Sequence, residues 1–402
     1  MKPSAYTLAT LLLATVTVLT FRAEATAQSL PISPGDELRP LNAKPDDIAD
    51  GKQFADSACA GCHGTNGIST TTGIPNVAGQ RAPYLYVQLK AYQSGSRTNP
   101  AMNTSVRFIS DDALVKVAAY YASLDPAQPP PGSAPTYLDP VQAGRTAAAA
   151  CAGCHGEAGV SKTPGMPNLA ALAAQFLTTA MEGYRSGQRK NDMMKSVLGA
   201  VGDVDIGHLA LFYALQKPSR TQAPAPGDPQ AGKAGTAGCA GCHGDLGISS
   251  APTTPSLAGQ DPQYLIAALR AYKNGDRADA TMKALAASID ENAFKDMAAY
   301  YAAQEPQALN IQPPPTTEEW AQKCDRCHGI KGNSTDARIP ALAAQRSEYL
   351  QAQLRDFQTS RRASHAMAAM SGVLNEDEIK NLATYYSHQS ARAVVFIAPP
   401  GK

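Results

Sequence analysis

The chain has 402 residues, and 35 Lys and Arg against 34 Asp and Glu leave it almost neutral. Neutrality with no basic stripe argues against a nucleic-acid partner, and the length allows about two to four domains. Aromatic residues make up only 6% of the chain, so small domains cut from it need something besides large side chains at their centres.

The first residues read as an export signal. Lys2 supplies a positive start, Thr7 to Phe21 is an apolar run, and Ala25-Thr26-Ala27 is a small-residue cleavage pattern. Fifteen apolar residues fall short of the ~20 needed to span a bilayer. The expectation is therefore a cleaved signal peptide at 1–27 and a mature chain from Gln28. No later segment is apolar enough to cross a bilayer. Residues 28–43 read as a flexible leader.

Beyond the leader the chain repeats itself. CAGCH occurs at Cys59 to His63, Cys151 to His155 and Cys239 to His243, and CDRCH at Cys324 to His328. The second cysteines, Cys62, Cys154, Cys242 and Cys327, stand 92, 88 and 85 residues apart, a period of domain size. C-x-x-C-H is the c-type haem attachment pattern. Two thiols three positions apart add to the two vinyl groups of one porphyrin, and the adjoining histidine meets the iron. The pairs Cys59 and Cys62, Cys151 and Cys154, Cys239 and Cys242, and Cys324 and Cys327 are therefore the candidate covalent anchors. They consume all eight cysteines. Disulfides, redox dithiols and half zinc sites account for paired cysteines, but not for a histidine after every second one. Proline-rich joints at Pro129 to Pro135, Pro218 to Pro229 and Pro306 to Pro315 divide the repeats.

Each repeat predicts the same helices. A lead-in helix runs into the cysteines; Asp139-Pro140 and Asp228-Pro229 mark its start as N-cap and N1. The fourth repeat starts at Thr317-Glu318-Glu319-Trp320 and leaves room only for a shorter one. After a Gly-rich loop, a second helix begins at Tyr84-Leu85, Phe176-Leu177, Tyr264-Leu265 and Tyr349-Leu350. Gly95, Gly187, Gly275 and Ser360 end it. The last helix opens on acidic residues, as at Asp111-Asp112 and Asp290-Glu291. Its aromatic pairs, Tyr120-Tyr121, Phe212-Tyr213, Tyr300-Tyr301 and Tyr385-Tyr386, are expected to pack it on the lead-in helix. No strand pattern competes, so the fold class is all-α.

Counting from each histidine completes the site. Thirty-nine residues on from His63, His155, His243 and His328 stand Met102, Met194, Met282 and Met367. A lone methionine is usually core filler; the fixed offset points to the second axial ligand. Met193 precedes Met194 and Met370 follows Met367, and register favours Met194 and Met367. Twelve residues after each histidine come Pro75, Pro167, Pro255 and Pro340. Their carbonyls can accept the hydrogen of the histidine's other ring nitrogen; the alternative is plain loop rigidity.

This pattern of C-x-x-C-H, proline, Tyr–Leu helix, G-x-R, methionine and Tyr–Tyr helix resembles class I cytochrome c, and is most similar to its cytochrome c4 and c553-like branch. Cytochrome c4 proteins resemble two such domains, and this chain resembles two of those pairs joined. The resemblance covers about residues 45–390 and implies four tandem cytochrome c domains, at 44–128, 136–217, 228–305 and 316–390, with a flexible tail at 391–402. It implies low-spin His/Met haems and electron transfer outside the cytoplasm. Arg97, Arg189, Arg277 and Arg362 occupy the G-x-R position, where they either pair with haem propionates or stand exposed. Ser360 replaces the helix-ending glycine of the other repeats, and Leu172 stands where they carry Gln80, Gln260 and Gln345. His208 and His388 read as solvated, and His365 as a weak competitor for the fourth iron.

Four covalent haem c groups with both axial positions filled favour reversible one-electron transfer. The leading expectation is a periplasmic carrier, not an enzyme, with redox proteins as donor and acceptor and no small-molecule substrate. It would take electrons from a quinol-oxidising complex or a dehydrogenase and pass them to a terminal oxidase or reductase, its four haems acting in series as a wire or a small store. The alternative is the cytochrome subunit of an exported dehydrogenase complex. Catalysis at one haem ranks last, since no methionine is missing and no spare cysteine offers another ligand.

Overall fold

A computed structural model describes residues 33–132 and 134–394. The expected signal peptide and the end of the expected tail, 395–402, lie outside the described residues. Part of the expected leader is ordered: Asp36–Asn42 is a 3-10 helix with Pro40 buried, and Glu37 pairs with Arg338 at 2.9 Å.

The described residues are helical apart from loops and two isolated β-bridges. The lead-in helices are Pro45–Ala58, Pro140–Ala148 and Pro229–Gly235; in the fourth repeat one helix, Thr317–His328, runs through the pentapeptide. Asp139 accepts from the Val141 and Gln142 amides, Asp228 from Gln230, and Thr316 with Glu319 forms a capping box. The second helices are Ala82–Ser94, Ala174–Ser186, Pro262–Asn274 and Ser347–Gln358. Gly95, Gly187 and Gly275 stop the first three at φ of 78°, 82° and 81°, and Ser360 takes the same left-handed turn at 57°. The last helices are Asp111–Ser123, Asp203–Ala214, Glu291–Ala303 and Glu376–Ser387.

Within a repeat the last helix crosses the lead-in helix at a glycine. A β-carbon on Gly51 would stand 2.2 Å from the Lys116 carbonyl oxygen. Gly144 meets His208 O at 2.1 Å and Gly232 meets Asp296 O at 2.0 Å in the same sense. Leu114, Val117, Ala118 and Tyr121 fill the core behind this crossing in the first repeat, as Leu209, Ala210 and Tyr213 do in the second. The fourth repeat has Trp320 and Ala321 there, with Trp320 Nε1 donating to Glu378 at 2.9 Å. Basic residues of the second helix reach the start of the last one: Lys90 to Asp111, Arg270 to Glu291 and Arg355 to Glu376, each at 2.6 Å.

The repeats pair out of chain order. The first packs on the fourth and the second on the third. Across the first seam Gln80 Nε2 donates to Ala341 O at 3.0 Å, and Gln80 Oε1 accepts from Ala341 N at 2.8 Å. Gln345 returns the pattern with the Asn76 amide and carbonyl, both at 2.8 Å. Arg346 Nη1 reaches Ser69 O at 2.9 Å, and the fully buried Arg81 binds Ser334 O through Nε at 2.8 Å. Across the second seam Gln260 clasps Asn168 at 2.7 and 2.9 Å. Leu172 has no amide to give back, so that clasp is one-sided. The bridges Arg97–Arg362 and Arg189–Arg277 close the two seams.

Among the described residues the two pairs touch between the second and fourth repeats. Leu138 and Asn381 exchange hydrogen bonds at 3.0 and 2.8 Å, Tyr137 lies near Tyr385, and His208 Nε2 stands 2.9 Å from Asp377 Oδ2. Among the described residues no single helix is long and apolar enough to cross a membrane.

Candidate haem centres

None of the eight cysteines is in a disulfide, so both members of every pair are available to a haem. The sequence gives both members of a pair the same role, but the structure gives them different surroundings. Cys59, Cys151, Cys239 and Cys324 are half-buried and pack against the hydrophobic core of their repeats. Cys62, Cys154, Cys242 and Cys327 are exposed. Three positions take the chain about 300° round a helix, so the two thiols share one face, as attachment to a single porphyrin needs, with the first at its core side and the second at its solvent edge. Burial pushes the thiol pKa of the first member of each pair upward. The inner cysteines are thus core positions as well as anchors, whereas Cys62, Cys154, Cys242 and Cys327 have only the anchoring role to explain them.

The short helix ends at the histidine, and a glycine must follow. Gly64 has φ of 81°, and a β-carbon there would stand 2.3 Å from Ile68 O. Gly156, Gly244 and Gly329 repeat this tight return, which brings the loop back under the imidazole.

The four histidines are buried. His63, His155 and His328 place Nδ1 3.0 Å from the carbonyl oxygens of Pro75, Pro167 and Pro340, and His243 places it 2.8 Å from Pro255 O. A carbonyl only accepts, so Nδ1 carries the hydrogen and Nε2 keeps its lone pair. Burial pushes all four pKa values below the usual histidine range, with the proline carbonyls opposing part of the shift. The result is a neutral imidazole held in one tautomer.

The four methionines share one register. Met102, Met194, Met282 and Met367 are each the third residue of a short helix, Pro100–Val106, Asp192–Gly199, Ala280–Ala287 and His365–Ser371. The N-cap side chain of Asn99, Asn191, Asp279 or Ser364 accepts from that methionine's own amide, at 2.8 to 3.3 Å. All four are half-buried, whereas Met193 is 64% exposed and Met370 37%. Histidine and methionine thus come from separate elements of one repeat, fixed by a carbonyl and by a helix cap.

Three groups stand where the sequence did not lead. A serine lies six residues after every histidine, at Ser69, Ser161, Ser249 and Ser334. The first three donate back to the carbonyls of Cys62, Cys154 and Cys242, at 3.1, 2.8 and 3.2 Å; the same fixed-offset count that found the methionines finds them. The G-x-R arginines are not exposed: Arg97 and Arg277 are buried and Arg189 and Arg362 half-buried at the seams. His208, expected in solvent, is buried against Asp377 because the fourth repeat covers its helix. His388 is half-buried with Nδ1 2.9 Å from Thr384 O, and His365 is exposed at the first position of its helix.

The residues fit haem. Each repeat offers two thiols three positions apart, a neutral imidazole with Nε2 free, a soft thioether, and a glycine turn that admits no side chain. Among the described residues no cluster of His, Cys, Asp and Glu suits a separate metal ion.

Comparison with known proteins agrees. The Cytochrome c family profile matches residues 48–125 and 230–310, and that of "Cytochrome C oxidase, cbb3-type, subunit III" matches 313–385. A thiosulfate dehydrogenase electron acceptor of Stutzerimonas stutzeri is 32% identical over 179 residues, 41% of this chain and 81% of that protein. A cytochrome c4 of Pseudomonas aeruginosa is 31% identical over 178 residues, 41% of this chain and 87% of that one. The crystal structure of reduced cytochrome c4 from Pseudomonas stutzeri aligns with 42% of this chain and all of its own, at 24% identity and a TM-score of 0.39. The chain belongs to the class I c-type cytochromes, in the cytochrome c4 family, and carries four covalently bound haem c groups, at Cys59 and Cys62, Cys151 and Cys154, Cys239 and Cys242, and Cys324 and Cys327.

Proposed function

We propose that this electron-transfer cytochrome is a periplasmic tetrahaem carrier. It moves electrons one at a time between a quinol-oxidising complex or dehydrogenase and a terminal oxidase or reductase. The axial ligands are His63 and Met102, His155 and Met194, His243 and Met282, His328 and Met367. Haem supplies a one-electron iron couple, and the thioether ligand raises its potential. The observation that carries the reading is the register: four tautomer-fixed imidazoles and four N3 methionines recur without exception. The proline carbonyls orient each imidazole, the caps hold each methionine, and the glycine turns close the loop beneath. With both axial positions held by protein, no repeat offers substrate a coordination site.

One observation favours a second reading, in which the chain drains an exported dehydrogenase. The Stutzerimonas relative is named as the electron acceptor of thiosulfate dehydrogenase. That is a role for a partner protein, and it needs no catalytic site on this chain.

A redox titration of the purified protein, followed by reduction with candidate donors, tests both. The proposal expects four low-spin haems that titrate in one-electron steps. A haem that is high-spin at rest and binds cyanide quickly would contradict it. Reduction by a dehydrogenase that co-purifies in fixed stoichiometry would select the second reading over the first.

A further inference from the structure

The seams contain buried charge without a countercharge. Arg97 donates to Gln88 at 2.6 Å in its own repeat and, across the seam, to Tyr349 at 3.0 Å and Gln353 at 2.7 Å. Arg362 mirrors it, donating to Gln353 at 2.8 Å and across to Tyr84 at 2.9 Å and Gln88 at 2.8 Å. At the other seam Arg277 reaches Tyr184 of the second repeat at 3.2 Å and Tyr264 of its own at 3.3 Å. Arg189 lies over the Phe176 and Tyr184 rings. Every one of these hydrogen-bond acceptors is neutral. Among the described residues no carboxylate lies within ion-pair distance of any of the four arginines.

A guanidinium taken out of water without a counter-ion carries a heavy desolvation cost. Two facing one another at each seam add mutual repulsion. Anions of the right kind arrive with the cofactor, since each haem brings two propionates, and Arg meets carboxylates in a rigid fork. We propose that the Arg97–Arg362 and Arg189–Arg277 pairs are propionate-binding seams that couple the haems in nested pairs, first with fourth and second with third, rather than in chain order.

The proposal rests on the tetrahaem reading above and adds which haems sense one another. The joint between the pairs has a different composition. It consists of the Asn381 clasp on the Leu138 backbone, Tyr137 near Tyr385 and the His208–Asp377 contact, with no arginine pair. Electrostatic influence therefore passes strongly inside each pair and weakly between the pairs. Arg362 belongs to the fourth repeat by sequence, yet its guanidinium is held by Tyr84 and Gln88 of the first.

The test uses the full-length, haem-loaded protein. Met102→His marks the first haem, since a second histidine in place of methionine lowers its potential and changes its ferric spectrum. Arg362→Gln in this background removes one positive charge and should move the marked haem to still lower potential. Arg277→Gln should leave it in place and instead move a haem marked by Met194→His. Arg362→Lys keeps the charge and should hold the marked haem near its starting value, which a purely structural role would not predict. A marked first haem that ignores Arg362→Gln, or follows Arg277→Gln, overturns the nested pairing. So does an equal shift with lysine and glutamine.

A second measurement survives if the glutamine variants fail to fold. With all arginines intact, Met367→His keeps the fourth haem oxidised over most of the titration, and this should raise the midpoint of the first haem and leave the second unmoved. The opposite assignment overturns the proposal. Failure of the underlying ligand reading would look different, because the methionine variants would then leave every haem spectrum unchanged.

Discussion

Substituting Gly51 by alanine tests the packing that carries the first pentapeptide. The new β-carbon would stand 2.2 Å from the Lys116 carbonyl oxygen and 3.1 Å from Tyr120 Cβ. Carbon and oxygen need more than ~3 Å, so the two helices must part by roughly 1 Å at the crossing. Overpacking of this kind costs ~1–3 kcal/mol. Alanine returns up to ~1 kcal/mol through its helix preference. The net expectation is a loss of about 1–2 kcal/mol. Gly207 is the control: it lies exposed inside Asp203–Ala214, and its β-carbon would meet nothing within 4 Å. There the same substitution should gain up to ~1 kcal/mol. Guanidinium unfolding of the haem-loaded chain, followed by helix signal and haem absorbance together, separates the unit holding the first repeat from the rest. A Gly51→Ala protein as stable as the unmodified one would refute the close-crossing argument, as would a loss for Gly207→Ala.

Ser360 holds a left-handed turn that the other repeats give to glycine, so Ser360→Gly should stabilise the fourth repeat by ~0.5–1 kcal/mol in the same unfolding assay. Gln80→Leu copies the residue found at Leu172 and strips Ala341 of both its seam hydrogen bonds; at ~1 kcal/mol per bond the first seam should weaken by about 2 kcal/mol, read from the unfolding midpoint. The Lys90 ammonium, then the Tyr86 hydroxyl, hold the Asp111 carboxyl below the usual carboxylate range. A value lowered in the folded state means stability present above the unfolded value of about 3.9 and lost as pH falls through the folded one. Asp111→Asn should flatten that acid loss, while costing less than ~1 kcal/mol at neutral pH because the carboxyl is partly exposed; unfolding midpoints across the acid range check it.

What could be read from the chain follows from what repeats preserve. A site built inside one repeat forces fixed spacing, so the offsets to Met102, Pro75 and their counterparts, the candidate ligand and the imidazole's acceptor, were visible by counting. The serine at Ser69 obeys the same logic and was open to the same count. Helix starts at Asp139, Asp228 and Asp290 were legible because a cap is local chemistry. The split between the half-buried Cys59 and the exposed Cys62 was hidden, because the pentapeptide treats its two thiols alike and only the packed core tells them apart. The nested pairing was not legible either, since no short-range pattern says which repeat lies beside which. Its trace was the glutamine at Gln80, Gln260 and Gln345, which accepts from the next amide of its own repeat and gives its remaining hydrogen bonds to the neighbour. His208 was misjudged for the same reason. It stands at an outward position of its helix, and only the neighbouring repeat buries it. Arg97 and Arg362 likewise have no visible partner until the two repeats meet.

The central claim is that each repeat closes its iron between one histidine and the methionine thirty-nine residues on. The most direct measurement is the number of ferrous haems that bind carbon monoxide in the unmodified protein and in Met102→Ala, Met194→Ala, Met282→Ala and Met367→Ala. The account predicts none in the unmodified protein and one in each variant, with Met193→Ala unchanged. A carbon monoxide-binding haem in the unmodified protein, or a Met194→Ala protein that stays closed while Met193→Ala opens, would contradict it.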